Sequence, residues 1–181
     1  MVRATVAGLL LAAAVCGGGS ARIAAQSRPA AAHEVEAAYL YQFGRYVEWP
    51  DDRVQEADAF VICVLGEDPF GAALDDLVRG KVIAGKPVVP RRVLGPTESQ
   101  GCRILFVSPS EDARVPAILQ ALDGTGTVTV SRGPSFTSRG GMIAFVTEGR
   151  SVRFVVNLAS AERAGIRLSS QLLRVAVRVE Q

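Results

Sequence analysis

The chain has 181 residues, of which 49% are hydrophobic, and it carries 20 lysines and arginines against 18 aspartates and glutamates. This near-balance argues against a nucleic acid partner, because domains that bind nucleic acids usually carry a basic patch and a high pI. The length suits one domain with a sizeable core.

The amino terminus has the pattern of a secretory signal peptide. A short basic start at residues 1–3 precedes an apolar run over residues 4–15, and small residues follow at 17–21. The apolar run is too short to span a bilayer comfortably. We expect cleavage after Ala25, with cleavage after Ala21 as the alternative.

Export changes the charge and the organisation of the chain. Removal of the signal peptide takes away Arg3 and Arg22 and no acid, so 18 basic and 18 acidic residues remain. Cys16 would allow lipidation, but lipidation signals have a small residue where this chain has Val15. The sequence predicts a signal peptide over residues 1–25, a flexible leader over 26–33 and a single domain over 34–181.

Five of the eleven aromatic residues fall between Tyr39 and Trp49. Helical spacing places most of this stretch on one apolar face, which predicts packing against a core. Tyr41 falls on the other face, beside Arg45 and Glu48, and these three form a candidate partner-binding patch. Single exposed aromatics are common, so Tyr41 is also explained without a partner. Pro50 ends the predicted helix. The apolar face consists of Val35, Tyr39, Leu40, Phe43, Tyr46 and Val47.

Two cysteines remain after removal of the signal peptide. Cys63 lies in residues 60–65 and Cys102 opens residues 102–107, and both segments have the pattern of buried strands. In an oxidising compartment the two are expected to form a disulfide bond, and two separate buried thiols are the alternative. Two cysteines and one histidine are too few ligands for a typical zinc site, so no metal is expected.

The first half of the domain alternates strands and helices. Asp68 as N-cap and Pro69 at the first helical position predict a helix to about Val78. Residues 86–93 are predicted to be extended at a sheet edge, because they contain two prolines. A capping box at Ser108 predicts a helix to about Leu122, and residues 127–131 alternate as a strand.

The second half begins with a predicted hairpin of residues 142–147 and 151–156, followed by helices over 157–164 and 169–177. Strand–helix–strand order implies right-handed crossovers and parallel strands. The predicted fold is a three-layer α/β sandwich, with a mixed, mainly parallel sheet flanked by helices and an antiparallel hairpin near the C-terminus.

Two places are candidates for a small ligand. The loop after residue 131 is rich in hydroxyls and arginine, and Arg132, Ser135, Arg139 and Gly140 are candidates to hold a small anion. A solvated loop with glycines at tight turns is the alternative. The second place is the crevice at the sheet ends beside Gly66 and Ser108, where open α/β sheets commonly bind ligands.

Catalysis finds little support in the sequence. His33 is the only histidine and lies in the predicted leader, where a catalytic triad would be poorly held. The best acids are Glu67, Asp68 and Glu148, and no base–nucleophile pair accompanies them. The chain is therefore predicted not to be an enzyme and to need no cofactor.

The chain resembles the YfiR-like proteins over about residues 34 to 179. Each matching segment is short, but six of them occur in the order typical of the family. The segments are residues 37–43 with Trp49-Pro50, residues 63–66 with 68–70, residues 102–106, residues 140–143, Arg153-Phe154 with Asn157, and residues 169–173.

The resemblance implies a periplasmic α/β protein that represses an inner-membrane diguanylate cyclase by contacting the periplasmic sensor part of that enzyme. An outer-membrane lipoprotein that draws the repressor away and a homodimer are further implied features. The family's cysteine pattern also implies a Cys63–Cys102 bridge. A second bridge of the best-known member, near residues 140–142, has no cysteines here, so redox control through that region is not expected.

Three functions follow in order of preference. The first is a regulatory binding protein. The predicted helices that contain Asn157 and Gln171, with Arg167 between them, offer it a second candidate partner patch. The second is a periplasmic sensor of a small ligand such as a nucleotide or an amino acid. The third is an enzyme.

Overall fold

A computed structural model describes residues 27–49 and 58–181. The predicted signal peptide with its cleavage site and the predicted helix end at Pro50 lie outside the described residues. The amino-terminal half contains α1 (Ser27–Tyr46), β1 (Val47–Glu48), β2 (Phe60–Leu65), α2 (Ala72–Val78), β3 (Val82–Ile83), β4 (Lys86–Val93), a 3-10 helix (Pro96–Ser99) and β5 (Cys102–Val107).

The carboxy-terminal half is a second succession of helices and strands. It contains a 3-10 helix (Pro109–Arg114), α3 (Val115–Ala121), β6 (Val128–Arg132), α4 (Ser135–Ser138), β7 (Ile143–Glu148), β8 (Ser151–Asn157), α5 (Leu158–Arg163), β9 (Arg167–Leu168), α6 (Ser170–Val175) and β10 (Arg178–Glu180).

The main sheet has eight strands in the order β10-β8-β7-β6-β5-β2-β4-β3. Pairing is antiparallel between β7 and β8 and between β3 and β4, and parallel between all other neighbours. A separate two-stranded antiparallel sheet joins β1 to β9. The predicted mixed, mainly parallel sheet with a hairpin near the C-terminus is confirmed.

Helices cover both faces of this sheet. Every residue of β2 and β5 is buried, as expected for central parallel strands with a layer on each side. Ile62 and Val64 face the core beneath α1 and α2, whereas Cys63 and Leu65 face the core beneath α3 and α4. The predicted three-layer arrangement follows from this alternation.

Helix α1 lies unusually close to the sheet. Leu40 and Phe43 are fully buried against it. A Cβ atom at Gly44 would lie 2.9 Å from Phe60 Cζ and 2.7 Å from Ile83 Cδ1, so any larger residue here would push the helix outward. The glycine therefore sets how deeply α1 packs.

The bounds of α1 differ from the prediction at both ends. The helix begins at Ser27 and so extends through most of the predicted flexible leader, because Pro29 is tolerated in a first turn and the alanines that follow are strong helix formers. It ends at Tyr46, and Val47 and Glu48 continue as strand β1.

Two predicted helix starts are wrong in detail. Asp68 does not cap a helix, because its Oδ1 accepts from the Phe70 N–H at 2.8 Å in a turn, and α2 begins only at Ala72. Ser108 does cap, accepting from the Ser110 N–H, but the first segment after it is a 3-10 helix and α3 starts at Val115. Both segments end close to the predicted residues.

The last predicted helix, over residues 169–177, is shorter than expected. Ser169 caps α6, which ends at Val175, and the chain continues into strand β10. Val175, Val177 and Val179 recur at every second position, and β-branched residues in that spacing favour a strand over a helix.

The predicted disulfide bond between Cys63 and Cys102 is present, with the two Cα atoms 5.8 Å apart. Both residues are buried, on neighbouring parallel strands. The bond closes a loop with a sequence separation of 39 residues.

We predict that Cys63→Ala/Cys102→Ala lowers the free energy of unfolding by about 3–4 kcal/mol, because the unfolded chain regains the entropy that the closed loop removes. Urea unfolding of the oxidised proteins measures this difference. Under full reduction the wild type should approach the variant. A loss below about 1 kcal/mol in oxidising buffer would contradict the prediction.

Candidate partner interface

An apolar groove lies between α1 and α6, over strand β8. Its volume is about 200 Å³. Three segments that are far apart in the sequence form the walls of the groove: residues 39–46, residue 154 and residues 171–175. The lining residues are Tyr39, Gln42, Phe43, Tyr46, Phe154, Gln171, Leu172 and Val175.

The floor of the groove is a packed cluster of rings. The ring of Tyr39 meets the edge of Phe154 with centroids 5.3 Å apart, and Phe43 meets Phe154 in the same way at 5.1 Å. Phe43 also stacks on Phe145 at 5.9 Å. Edge-to-face and offset ring pairs of this kind add stability beyond the area they bury. These contacts tie the floor of the groove to the core of the domain.

Charged residues lie on the elements that adjoin the groove, at the end of α1, on β1 and on β9. Glu48 and Arg167 lie opposite each other in the β1–β9 pair, with Oε2 and Nε 3.5 Å apart. Arg45 is exposed, and its guanidinium lies 5.9 Å from the ring centroid of Tyr46. Val175 is 54% exposed at the edge. An apolar centre inside a polar rim is the usual composition of a protein–protein contact.

The two partner patches predicted from the sequence meet here. Glu48 belonged to the first patch and Arg167 to the second, and the β1–β9 pair places them opposite each other. Gln171 of the second patch lines the groove, and Arg45 of the first lies on α1, which forms one of its walls. Nothing in the sequence indicated this, because the two segments lie about 120 residues apart.

Two predicted contact residues do not line the groove and make contacts within the fold. Tyr41 was predicted to lie outside the core-facing stripe, but it is half-buried against the main core and does not line the groove. Asn157 caps α5, because its Oδ1 accepts from the Ser160 N–H, and its Nδ2 donates to the Thr137 carbonyl at 2.9 Å. Val35 was predicted to lie on the core-facing side of the helix, but it is 44% exposed.

The arginines of the candidate anion loop are occupied by acids from elsewhere in the chain. Arg132 donates through Nε and Nη2 to Glu36 of α1, at 2.9 and 2.5 Å, and Glu36 is only 5% exposed. Arg139 donates to the backbone carbonyl and the carboxylate of Asp112. These pairs hold the loop against its neighbours.

The backbone of the same loop is also engaged. The N–H groups of Gly133, Phe136, Arg139, Gly140 and Gly141 each donate to a backbone carbonyl. Ser135 is exposed, and its carbonyl accepts from Arg139 Nε. An anion on this loop would have to compete with the loop's own hydrogen bonds.

The predicted crevice beside Gly66 and Ser108 is closed. The Ser108 N–H donates to the Leu65 carbonyl at 2.9 Å, and the Glu67 N–H donates to Ser110 Oγ at 3.0 Å. The close approach needs glycine at position 66, where φ is +88° and a Cβ atom would lie 2.5 Å from Ser110 Oγ. The loops after β2 and β5 therefore contact each other where a ligand would sit.

The acids considered for catalysis serve the fold or lie at the surface. Asp68 Oδ2 accepts from Arg92 Nε at 2.8 Å, and Arg92 also binds Asp75. The hydrogen bond from Arg92 holds the pKa of Asp75 below its ordinary value of 3.8. Glu67 and Glu148 are exposed, at the loop after β2 and at the end of β7.

A second cavity, of about 290 Å³, lies at the amino ends of β6 and β7 between α3 and α5. Asp123 and Arg163 contribute opposite charges to its walls. Arg163 Nη2 donates to Ser160 Oγ at 2.9 Å, and the Met142 N–H donates to Thr129 Oγ1. The lining residues are Leu119, Gln120, Leu122, Asp123, Thr127, Thr129, Gly140, Met142, Ser160, Arg163 and Ala164.

The described part of the chain lacks two features, a cluster of metal-ligating side chains and a membrane-spanning helix. Within residues 27–49 and 58–181, no three His, Cys, Asp or Glu side chains gather in a way that could hold a metal ion. In the same ranges no helix combines the length and the apolar character needed to cross a membrane.

A family model described as YfiR/HmsC-like matches residues 33–177. Among solved structures, the chain is similar to a conserved domain protein from Vibrio cholerae O1 biovar eltor, with 11% identity and a TM-score of 0.52 over 80% of this chain. This chain spans about 60% of the length of that protein. At such identity the likeness shows the fold alone.

A second similar structure is described as the ABC domain in complex with L-Trp from Streptococcus pneumonia. The identity is 14% and the TM-score 0.49, over 66% of this chain and 55% of that one.

We predict that Arg132→Met lowers the free energy of unfolding by about 3 kcal/mol, because it leaves the buried carboxylate of Glu36 without its partner. Adding Glu36→Leu should recover part of the loss, since the uncompensated charge is then gone. Denaturant unfolding of the single and double variants measures both effects. A single variant as stable as the wild type would contradict the role assigned to this ion pair.

Proposed function

Because the chain belongs to the YfiR/HmsC-like family, we propose that it is a periplasmic regulatory protein that represses an inner-membrane diguanylate cyclase by protein–protein contact. The cyclase would be contacted on its periplasmic sensor part, and cyclic di-GMP would fall as a result. An outer-membrane lipoprotein would compete for the regulator and so release the enzyme.

The groove between α1 and α6 carries this proposal. It lies within the residues that the family model matches, its floor is apolar, and the exposed Glu48–Arg167 pair lies on the strands next to its walls. A side chain of the partner that enters the groove would be desolvated against Phe43, Phe154 and Leu172. Buried anchors of this kind dominate binding energy in protein interfaces.

The charged residues next to the groove would determine the orientation of the bound partner more than its affinity. Arg45, Glu48 and Arg167 are all exposed, and the Glu48–Arg167 pair is open to solvent on both sides. Exposed ion pairs contribute little stability. Placed around an apolar anchor, the same charges select a partner of complementary pattern and steer its approach.

A regulator of this kind needs no catalytic centre. Three of the residues that first suggested chemistry, Arg132, Arg139 and Asp68, are held in ion pairs within the fold. This supports a protein that acts through its surface.

We predict that Val175→Asp weakens binding of the cyclase by at least about tenfold, because a carboxylate at the groove edge would have to be desolvated on contact. Cellular cyclic di-GMP should then rise toward the level of a deletion strain. Val82→Asp is the matched control, since Val82 is also 54% exposed but lies at the opposite end of the main sheet.

Cyclic di-GMP is measured in a deletion strain that carries each variant, and co-purification with the cyclase from detergent-extracted membranes is measured in parallel. If Val175→Asp represses as well as the wild type at equal protein level, the groove is not the contact surface.

The second cavity favours an additional function as a small-ligand sensor. The cavity walls carry one acid, Asp123, and one base, Arg163. A simple anion would be repelled by Asp123 and a simple cation by Arg163. A zwitterion could place its ammonium group near Asp123 and its carboxylate near Arg163. Its lining contains no aromatic ring on which a nucleobase could stack. An amino acid with a small aliphatic side chain therefore fits better than a nucleotide.

Isothermal titration calorimetry with L-alanine, L-leucine and GMP tests this second function. We predict heat from one of the two amino acids and none from GMP, and at least about tenfold weaker binding in Arg163→Gln, which loses the charge that faces the carboxylate. Arg150→Gln, at the β7–β8 turn, serves as control. If none of the three compounds gives heat of binding, the sensor function is rejected. The proposed contact with the cyclase does not depend on this result.

A further inference from the structure

Arginines predominate among the charged residues next to the groove between α1 and α6. Residues 39–48 and 167–175, which form or adjoin the groove, contain three arginines and a single acid, Glu48 of β1. All three arginines are exposed, so the surroundings of the groove carry a net positive charge. The three are Arg45 in the last turn of α1, Arg167 on β9 and Arg174 in the last turn of α6.

The side chain of Arg45 lies along the α1 wall of the groove. Its Nη1 donates to Gln42 Oε1 at 3.4 Å, and its guanidinium lies 5.9 Å from the ring centroid of Tyr46. Gln42 and Tyr46 both line the groove. Among the described residues, the Gln42 amide is the one acceptor that binds Arg45. A guanidinium has five N–H donors in a planar fork that matches a carboxylate, so most of them remain for an acid of a partner.

The other two arginines also lie within reach of a bound partner. Arg174 lies three positions after Gln171 on α6, so the two share one side of that helix, and it directly precedes Val175 at the groove edge. Arg167 Nε lies 3.5 Å from Glu48 Oε2, and their side chains are 76% and 62% exposed. Because an ion pair so open to water is weak, Arg167 can exchange Glu48 for an acid of the partner.

The charged residues further from the groove add little to this local charge. Arg153 precedes Phe154 on β8, and successive residues of a strand face opposite sides of the sheet. Glu34 comes five positions before Tyr39, which places it about 140° away around α1. The next elements carry charges that cancel, Arg178 with Glu180 on β10 and Glu162 beside Arg163 on α5.

We propose that the groove binds an acidic segment of the cyclase, in which an apolar side chain enters the groove and Asp or Glu residues beside it pair with Arg45 and Arg174. This inference rests on the regulatory function proposed above and adds the chemistry of the partner segment. An arginine and a carboxylate form two parallel N–H···O bonds, so one acid on each wall fixes the direction of the segment across the groove. A basic segment with the same apolar side chain would be repelled.

Association and dissociation rates of the exported chain with the full-length cyclase in phosphatidylcholine nanodiscs test the proposal. The decisive variant is Arg45→Glu/Arg174→Glu, which turns two attractions into repulsions. We expect at least about tenfold slower association at about 0.1 M salt, where the Debye length is about 10 Å, and a much smaller difference at about 1 M salt.

A second variant keeps the charge and removes the fork. Arg45→Lys/Arg174→Lys should associate at close to the wild-type rate, because charge governs the approach of the two proteins. It should dissociate faster, since an ammonium group cannot form the two parallel bonds of a guanidinium. This variant separates the loss of charge from any loss of folded protein.

The matched control is Arg91→Glu/Arg150→Glu, which makes the same change in net charge at two exposed positions outside the groove. Arg91 lies on β4, five strands away from β8 in the main sheet, and Arg150 lies at the β7–β8 turn. The control should associate at close to the wild-type rate, because charges beyond a Debye length are largely screened. Circular dichroism checks that every variant is folded.

Each outcome of this experiment bears on the proposal. Slow association of the reversed variant alone, relieved at high salt, supports an acidic partner segment at the groove. A reversed variant that associates as fast as the wild type, or a control that slows as much, overturns the acidic segment and leaves the regulatory function in place. A wild type that does not bind the cyclase overturns both.

Discussion

The structure depends above all on the packing of α1 against the sheet. Phe43 is fully buried and meets the rings of Phe145 on β7 and Phe154 on β8, while Gly44 allows the backbone to approach Phe60. On the same helix, Glu36 binds Arg132 at the end of β6. Ring packing and a nearly buried ion pair thus fix one helix at two points along its length.

Everything proposed for the partner interface follows from this placement. The Tyr46 carbonyl accepts from the Ser169 N–H at 3.0 Å, directly before α6, and the adjoining β1 pairs with β9. The end of α1 therefore positions α6 through backbone hydrogen bonds, and this sets the spacing of the two helices at the groove. A pre-formed site of this kind avoids the entropic cost of ordering on contact.

Sequence patterns predicted the central parts of the fold, because local rules decide them. Strands buried on both faces have continuous apolar sequences, which identified β2 and β5. One cysteine in each of these two strands then predicted the disulfide bond. Sequence patterns predicted the role of a side chain less accurately where its partner is distant in the chain. Asp68 was expected to cap a helix, but it lies in a turn, where Arg92 from β4 binds it. Arg132 was expected to be available for an anion, but Glu36, which is 96 residues away, binds it. The groove could not be predicted, since its walls meet only in the folded chain.

We propose that this protein acts through the groove between α1 and α6. Site-specific photo-crosslinking in living cells tests it most directly, with a photoreactive amino acid at Gln171 inside the groove or at Val82 on the far edge of the sheet. We predict a covalent adduct with a membrane diguanylate cyclase from position 171 and none from position 82. Adducts with that enzyme from position 82, and not from position 171, would contradict it.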